Sequence, residues 1–363
     1  LAYAVTLIPG DGIGPEVVEA TRRVLEATGV RFNWDRAFAG DRAQDIYGTP
    51  LPDYLINSIR SNQVALKGPI TTPIGSGFRS VNVAIRKALN LYVCLRPCKL
   101  YPGAPTLYKN ADVVIVRENT EDLYAGIEYR FGTLEASRLN RFIEDCGDSV
   151  KPDSSFSIKS ISASATEKIA RWAFEYARAN SRKKVSAIHK ANILKATDGL
   201  FLATCTEVAR QYPDIAFEPH IVDSICSQLV RNPEKHDILV LPNLYGDIIS
   251  ELCAGIIGGL GLAPGANIGD EVAVFEPTHG SAPKYAGKNK INPMAMMLSG
   301  VLMLRHLGEK EAADLVEDAI AAVVEEGKAV TYDMKADRND PSAVGTAEVA
   351  EAVVKKMKEI EDA

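Results

Sequence analysis

The chain has 363 residues, 46% of them hydrophobic and 24% charged, with a formal charge of −6 from 41 Lys/Arg against 47 Asp/Glu. Such a length suits two domains or one large one, with apolar surface enough for a real core. With no Lys/Arg-rich run and no apolar run long enough to span a bilayer, neither nucleic acid nor membrane is an expected partner.

Residues 4–8 form a short apolar run closed by Pro9-Gly10, which predicts a buried strand. Gly14-Pro15 opens an amphipathic helix with Val17, Val18, Val24 and Leu25 near helical spacing; Pro15 suits its first turn and Gly29 its stop. Residues 64–66, 113–116, 185–189 and 238–241 predict further buried strands. Helical patterns near 165–179, 194–211 and 246–257 fall between several of them, so the chain reads as α/β with a mostly parallel sheet. Residues 133–157 are polar and carry Gly147 and Pro152, and the stretch 156–162 is β-branched and Ser-rich. They predict an excursion from the core, a hairpin arm for dimer contacts. Residues 293–307, 309–326 and 346–360 return to helices. Cys94, Cys98, Cys146, Cys205, Cys226 and Cys253 follow no disulfide or zinc pattern, which predicts reduced thiols. The expected compartment is the cytoplasm, or the mitochondrial matrix if a leader preceded Leu1.

Ile8-Pro-Gly-Asp-Gly-Ile-Gly14 joins strand to helix, and Asp35 lies about twenty residues on, as in a dinucleotide fingerprint. The spacing, however, is G-x-G-x-G, and Pro15 follows directly. A tight strand-to-helix turn is the better reading than a Rossmann phosphate loop.

Five segments carry chemistry. Lys67-Gly-Pro-Ile-Thr-Thr-Pro-Ile-Gly-Ser-Gly77 is a loop with exposed backbone donors, suited to a carboxylate or phosphate. Ser80, Asn82 and Arg86 fall around the first turns of one helix, and Arg96 and Arg117 come near the ends of two apolar strands. Guanidinium binds carboxylate bidentately, so the set suits a polycarboxylate; the alternative is surface arginines in ordinary ion pairs. Tyr124 and Lys190 are a plausible acid and base. Free tyrosine and lysine side chains titrate near ~10, so a divalent cation and guanidinium neighbours are expected to bring them toward working pH. Asp223 follows an apolar strand, and Asp247 and Glu251 share a helix face; oxygen-only ligands suit Mg²⁺ or Mn²⁺, the alternative being a helix-end Asp and a solvated Glu. Last, Glu276-Pro-Thr-His-Gly-Ser-Ala-Pro-Lys-Tyr-Ala-Gly287 with Asn292 is a loop that suits a flat ring and a phosphate.

Together these segments resemble the decarboxylating β-hydroxyacid dehydrogenases, the isocitrate, homoisocitrate and 3-isopropylmalate enzymes. Val116-Arg-Glu-Asn-Thr-Glu121, Asn243-Leu-Tyr-Gly-Asp-Ile-Ile-Ser250 and Gly258-Gly-Leu-Gly-Leu-Ala-Pro264 are the most specific blocks, and the match runs to the Tyr332 region. The resemblance implies a two-domain α/β fold that is not a Rossmann fold: a large domain of 1–91 and 258–363, a small domain of 92–121 and 163–257, and a clasp of 122–162. It implies a cleft between the domains completed by a second subunit in a homodimer. Thr72, Ser80, Asn82, Arg86, Arg96 and Arg117 would hold substrate. Tyr124 and the second copy's Lys190 would be acid and base. Asp247 and Glu251, with Asp223 of the second copy, would hold the metal. Thr71, Asn192, Gln228, His279, Gly280, Ser281, Ala282, Lys284, Tyr285, Asn292 and Tyr332 would contact the cofactor.

Within that family Ser80 and Asn82 match the isocitrate pattern, since both hydrogen-bond a further carboxylate; homoisocitrate is the alternative. Lys284, Tyr285 and Tyr332 match the NADP pattern over the NAD one. Two departures stand out. Ala336 occupies a position usually held by arginine, with Lys335 beside it to compensate, and Glu251 replaces the usual aspartate. A non-catalytic regulatory subunit of a hetero-oligomer is the reading from another class, against which the complete acid, base and arginine set counts.

Overall fold

The computed structural model describes residues 2–72 and 80–362. Its strands are β1 (Tyr3–Ile8), β2 (Phe32–Arg36), β3 (Val64–Lys67), β4 (Val93–Lys99), β5 (Asp112–Glu118), β6 (Glu128–Tyr129), β7 (Phe156–Ser157), β8 (Lys184–His189), β9 (Ala216–Ile221), β10 (Ile238–Leu241), β11 (Pro264–Ile268) and β12 (Ala273–Pro277). Ten of them form one sheet, in the order β2-β1-β3-β12-β11-β4-β5-β10-β8-β9. The chain's two ends build one half and its middle the other. The flanks are parallel, as the alternating pattern predicts, while β12–β11, β11–β4 and β4–β5 are antiparallel. The reason is connection length. β11 and β12 are joined by four residues, closed by Gly269 N–H to Val272 O at 2.8 Å, and a parallel crossover needs a dozen or more.

Buried on both faces, β3, β5, β8 and β10 are nearly continuous in Val, Ile, Leu and Ala. The helix Met294–His306 is buried along Met294–Val301 and lies in the main core; a second, smaller core gathers Ile8, Leu55, Ile59, Ile85 and Leu91. No helix among the described residues is long and apolar enough to cross a membrane. All six cysteines are free thiols, and four are buried.

The excursion differs from a plain hairpin. β6 and β7 pair over two residues only, and between them runs the helix Leu134–Asp145, capped by the Thr133 hydroxyl accepting from Ala136 N–H. An N-cap threonine followed by twelve residues without Pro or Gly makes a helix the lower-energy choice.

The glycine loop is a packing turn. Gly10 and Gly12 have φ of 75° and 57°, and a Cβ on Gly12 would lie 2.1 Å from Ser281 O. Asp11 accepts from Thr71 N–H at 2.9 Å and Asp41 N–H at 3.0 Å, and Ile13 N–H donates to Ser281 O at 2.9 Å. Asp35 lies on edge strand β2 and accepts from Ser58 and Asn62.

Candidate active site

β4 and β5 set two guanidinium groups side by side. Cys94 pairs with Arg117, and Arg96 is two residues from Cys94 on the same strand, so both arginines leave one face of the sheet. The helix Asn243–Ile256 packs over that face. Its Gly246 makes this possible, because a Cβ there would lie 2.5 Å from the Arg117 stem. Arg117 donates Nε and Nη2 to Asn243 Oδ1 at 2.9 and 2.7 Å and Nη1 to Asp247. Arg96 Nη1 donates to Ser250 Oγ at 2.6 Å and reaches Asp247 Oδ1 at 3.3 Å.

Asp122, at φ 65°, accepts from Leu244 N–H at 2.9 Å and so caps that helix from outside. The turn Asp122–Ala125 thereby holds the Tyr124 phenol, which donates to Asp247 Oδ2 at 2.6 Å while Arg117 lies 4.8 Å from its ring centre. Burial, then the Asp247 carboxylate, raise the Tyr124 pKa against the lowering influence of Arg117. The downward shift expected from guanidinium neighbours is thus outweighed in the protein alone. A phenol that keeps its proton is suited to give it. For Asp247, burial pushes up, but Arg117 and Arg96 prevail and hold the carboxyl below its ordinary value.

On the other wall, the helix Val81–Ala88 is capped by Ser80, whose Oγ accepts from Val83 N–H and from Thr72 Oγ1 at 3.2 Å. It carries Asn82 and Arg86 to the same cavity, of about 250 Å³, lined also by Arg96, Arg117, Tyr124, Asp247, Glu251 and His279. Arg86 Nη2 donates to Glu276 Oε1 at 3.1 Å, yet its Nε is buried without a partner, as is Asn82 Oδ1. Residues 73–79, the rest of the glycine-rich loop, lie outside the described residues.

Lys190 and Asp223 are brought together with each other but do not line this cavity. Lys190 N–H donates to Asp198 Oδ2 at 2.7 Å. Asn192 is exposed just beyond, and Gln228 lies on the helix Val222–Arg231 with Asp223, its Nε2 donating to Ser224 Oγ at 2.9 Å.

The predicted cofactor residues fall in two groups. Ser281 Oγ meets Thr71 Oγ1 at 2.7 Å, beside the Gly10–Gly14 turn; Gly280 and Ala282 flank it, Ala282 at φ 36°. His279 Nδ1 approaches Gly280 O at 3.1 Å, its Nε2 is buried without a partner, and burial lowers its pKa, leaving a neutral ring. In the second group Tyr285 and Tyr332 lie 6.4 Å apart, with Lys284 5.0 Å from the Tyr285 ring centre and Lys290 4.7 Å from that of Tyr332. Asn292 accepts from Met294 N–H and donates to Asp333, which ties the segment of Tyr332 to the start of the helix Met294–His306. Lys335, beside Ala336, is engaged elsewhere in the protein without nucleotide. Its ammonium binds Gly327 O and Lys328 O at 2.8 and 3.2 Å, just past the C-terminus of the helix Lys310–Glu326.

A model of the isocitrate/isopropylmalate dehydrogenase family matches residues 4–353. The chain belongs to that family. It is 43% identical to the NADP isocitrate dehydrogenase of Archaeoglobus fulgidus, over 97% of this chain and 92% of that one. It is 45% identical to a regulatory subunit of the mitochondrial NAD isocitrate dehydrogenase of Dictyostelium discoideum, over 98% and 92%. The crystal structure of isocitrate dehydrogenase from Methylococcus capsulatus superposes with a TM-score of 0.90 at 48% identity, covering 98% of this chain and 99% of that one.

Read as an isocitrate/isopropylmalate dehydrogenase, the chain holds one constellation that motif reading passes over. Glu276 at the end of β12 is buried between Lys67 of β3, with which it forms an ion pair, and Arg86, and accepts from Asn267 Nδ2 at 2.6 Å. Burial alone would raise its pKa; Lys67 and Arg86 reverse that and hold it at about 2. Each residue stood at the edge of a recognised segment, but no local pattern links them. Lys290 lies outside the recognised segments, although Gly287-Lys-Asn-Lys290 offers two cations just after Tyr285.

Proposed function

We propose that the protein oxidises and decarboxylates isocitrate to 2-oxoglutarate and CO₂ while reducing NADP⁺, as a homodimer. The observation that carries this is the cavity where Arg86, Arg96 and Arg117 converge beside Ser80 and Asn82, with Arg86 Nε and Asn82 Oδ1 buried and unpartnered. Arg86 Nε–H is a donor that a substrate carboxylate completes, and Asn82 Oδ1 is an acceptor that would take the hydrogen of a substrate hydroxyl.

Asp247 and Glu251 fit a hard divalent ion. Both are oxygen ligands one turn apart, burial raises the Glu251 pKa, and among the described residues Glu251 has no ion pair. Mg²⁺ or Mn²⁺ held there, with Asp223 of the second copy, would supply Lewis-acid polarisation of the substrate's C2 oxygen. The three arginines would fix the carboxylates, and a nicotinamide cofactor held by the Ser281 and Tyr285 groups would supply the hydride acceptor. The second copy's Lys190 would take the hydroxyl proton. After CO₂ departs, Tyr124 would deliver its proton to C3. The exposure of Ile193, Val230 and Ile248, on or beside the elements of Lys190, Asp223 and Asp247, supports a self-burying face that brings two copies together.

Growth of reduced-nicotinamide absorbance tests the reading, with Mg²⁺, each of isocitrate, homoisocitrate and 3-isopropylmalate, and NADP⁺ and NAD⁺ in parallel. Turnover of isocitrate with NADP⁺ preferred is expected. The Dictyostelium protein, a regulatory one, keeps a non-catalytic rival in view, and a folded dimer inert toward every pair would favour it.

The cofactor preference rests on Lys284, Tyr285, Tyr332 and Lys290, whose cations and phenols suit a 2′-phosphate. Lys284→Asp with Tyr285→Ile should cut kcat/KM for NADP⁺ by about 10²-fold or more, two charge-assisted contacts being lost and a repulsion added. Kinetics with both nucleotides check this, and an unchanged NADP⁺ to NAD⁺ ratio would refute it. Ser80→Asp puts a carboxylate where a substrate carboxylate is held. A rise in isocitrate KM of at least about 10²-fold is expected, and an unchanged KM would remove Ser80 from the substrate set.

A further inference from the structure

Outside the cleft, at the sheet edge, three ligand-bearing side chains converge. Glu218 and His220 are two apart on edge strand β9 and share a face; His236, just before β10, is buried beside them. One ligand atom from each lies within 4.8 Å of the other two. The imidazoles meet nearly edge-on, with centres 5.9 Å apart and planes at 81°. Two nitrogens there are unmet. His236 Nδ1 is buried without a hydrogen-bond partner, and so is His220 Nε2, although it lies 3.0 Å from Glu218 Oε1. That 3.0 Å separation suits an ion pair with a charged imidazole and equally two ligands of one cation.

The neighbours permit one. Lys184 of β8 pairs with Glu218 at 2.7 Å but also donates to Lys235 O at 2.9 Å, so it has a second partner to keep. Ser186 Oγ approaches the same carboxylate at 3.3 Å, and His189 follows on that strand, its Nδ1 already accepting from Ala191 N–H. Two imidazoles and one carboxylate select a borderline transition ion over Mg²⁺ and leave positions for water.

We propose that Glu218, His220 and His236 bind a divalent transition-metal ion, for which Zn²⁺ is the probe, clamping edge strand β9 to the turn that precedes β10. The test is calorimetric titration of the full chain with Zn²⁺ in excess Mg²⁺, added to compete for the cleft carboxylates, with no substrate or nucleotide present. The result is therefore independent of the proposed activity. One Zn²⁺ per chain is expected, with affinity lowered at least about tenfold in His220→Ala and in His236→Ala and kept in Asp247→Asn. If His236→Ala fails to fold by circular dichroism, Glu218→Gln and His220→Asn on the edge strand give the same readout. Equal binding by wild type and the histidine variants, or loss in Asp247→Asn, would place the ion at the cleft and overturn the proposal. No uptake at all would leave these nitrogens to water and overturn it equally.

Discussion

Lys190→Met is expected to lower kcat by about 10²–10⁴-fold, the usual contribution of a positioned general base, with the isocitrate KM changed far less. Lys190 is held from both ends. Its N–H is bound by Asp198, a fully buried carboxylate that Lys159 reaches at 3.0 Å, and its ammonium pairs with Asp223. Methionine fills a similar volume, and the lost ion pair is with an exposed carboxylate, so folding should be spared. Steady-state kinetics across pH separate a base from a prop. A base takes with it the acid-side fall of the kcat profile; a prop leaves the shape and shifts only KM. A kcat within about tenfold of wild type would remove Lys190 from the proton path.

Glu276→Gln is expected to cost about 3–5 kcal/mol of folding stability, the penalty for leaving buried charge uncompensated. Lys67 is 1% exposed and Arg86 9%, so neither turns to water when the carboxylate goes. The effect is pH-dependent with a definite sign. The folded carboxyl titrates at about 2 against an ordinary 4.5, so its stabilisation is complete above the ordinary value and fades as pH falls toward the folded one. Urea unfolding of wild type and variant should therefore differ most near neutrality and converge in acid. A difference under about 1 kcal/mol near neutrality, or one that ignores pH, would show that the triad is not a coupled charge unit.

Much of the fold was legible because burial writes itself in apolar runs. Val113–Val116 and Ile238–Leu241 lie buried on both faces, and the helices Gly14–Ala27 and Lys310–Glu326 keep a helical apolar stripe. β4 and β12 were harder to read as strands, for the physical reason that they carry the site. Arg96, Pro97 and Lys99 interrupt one and Glu276 the other. The helix in the excursion was hidden by its polarity, since only Ala136 of its twelve residues is buried. In the site, the arginines, Tyr124 and Asp247 were recognisable as residue types in known blocks. The same blocks concealed the props: Glu118 binds the N–H groups of Thr120 and Glu121, and Asn119 joins Leu91 O to Asn267. Pairings such as Lys67 with Glu276 join distant stretches through sheet register, which no local pattern encodes.

The contact of Arg117 with Gly246 bears on how this scaffold can diversify. Most sheets meet their covering helix through aliphatic side chains, whereas here a guanidinium stem is the spacer and the helix gives up a side chain to admit it. Under the proposed function, anion grip and layer spacing are one parameter. Any enlargement at position 246, or any shortening at 117, retunes both together and is answered first by folding. Under the same proposal, selectivity would have an adjustable side elsewhere, on the short helix of Ser80 and Asn82, whose residues line the cavity without holding two layers apart. Libraries aimed at new hydroxyacids should be confined to that wall, with the strand wall left as chassis.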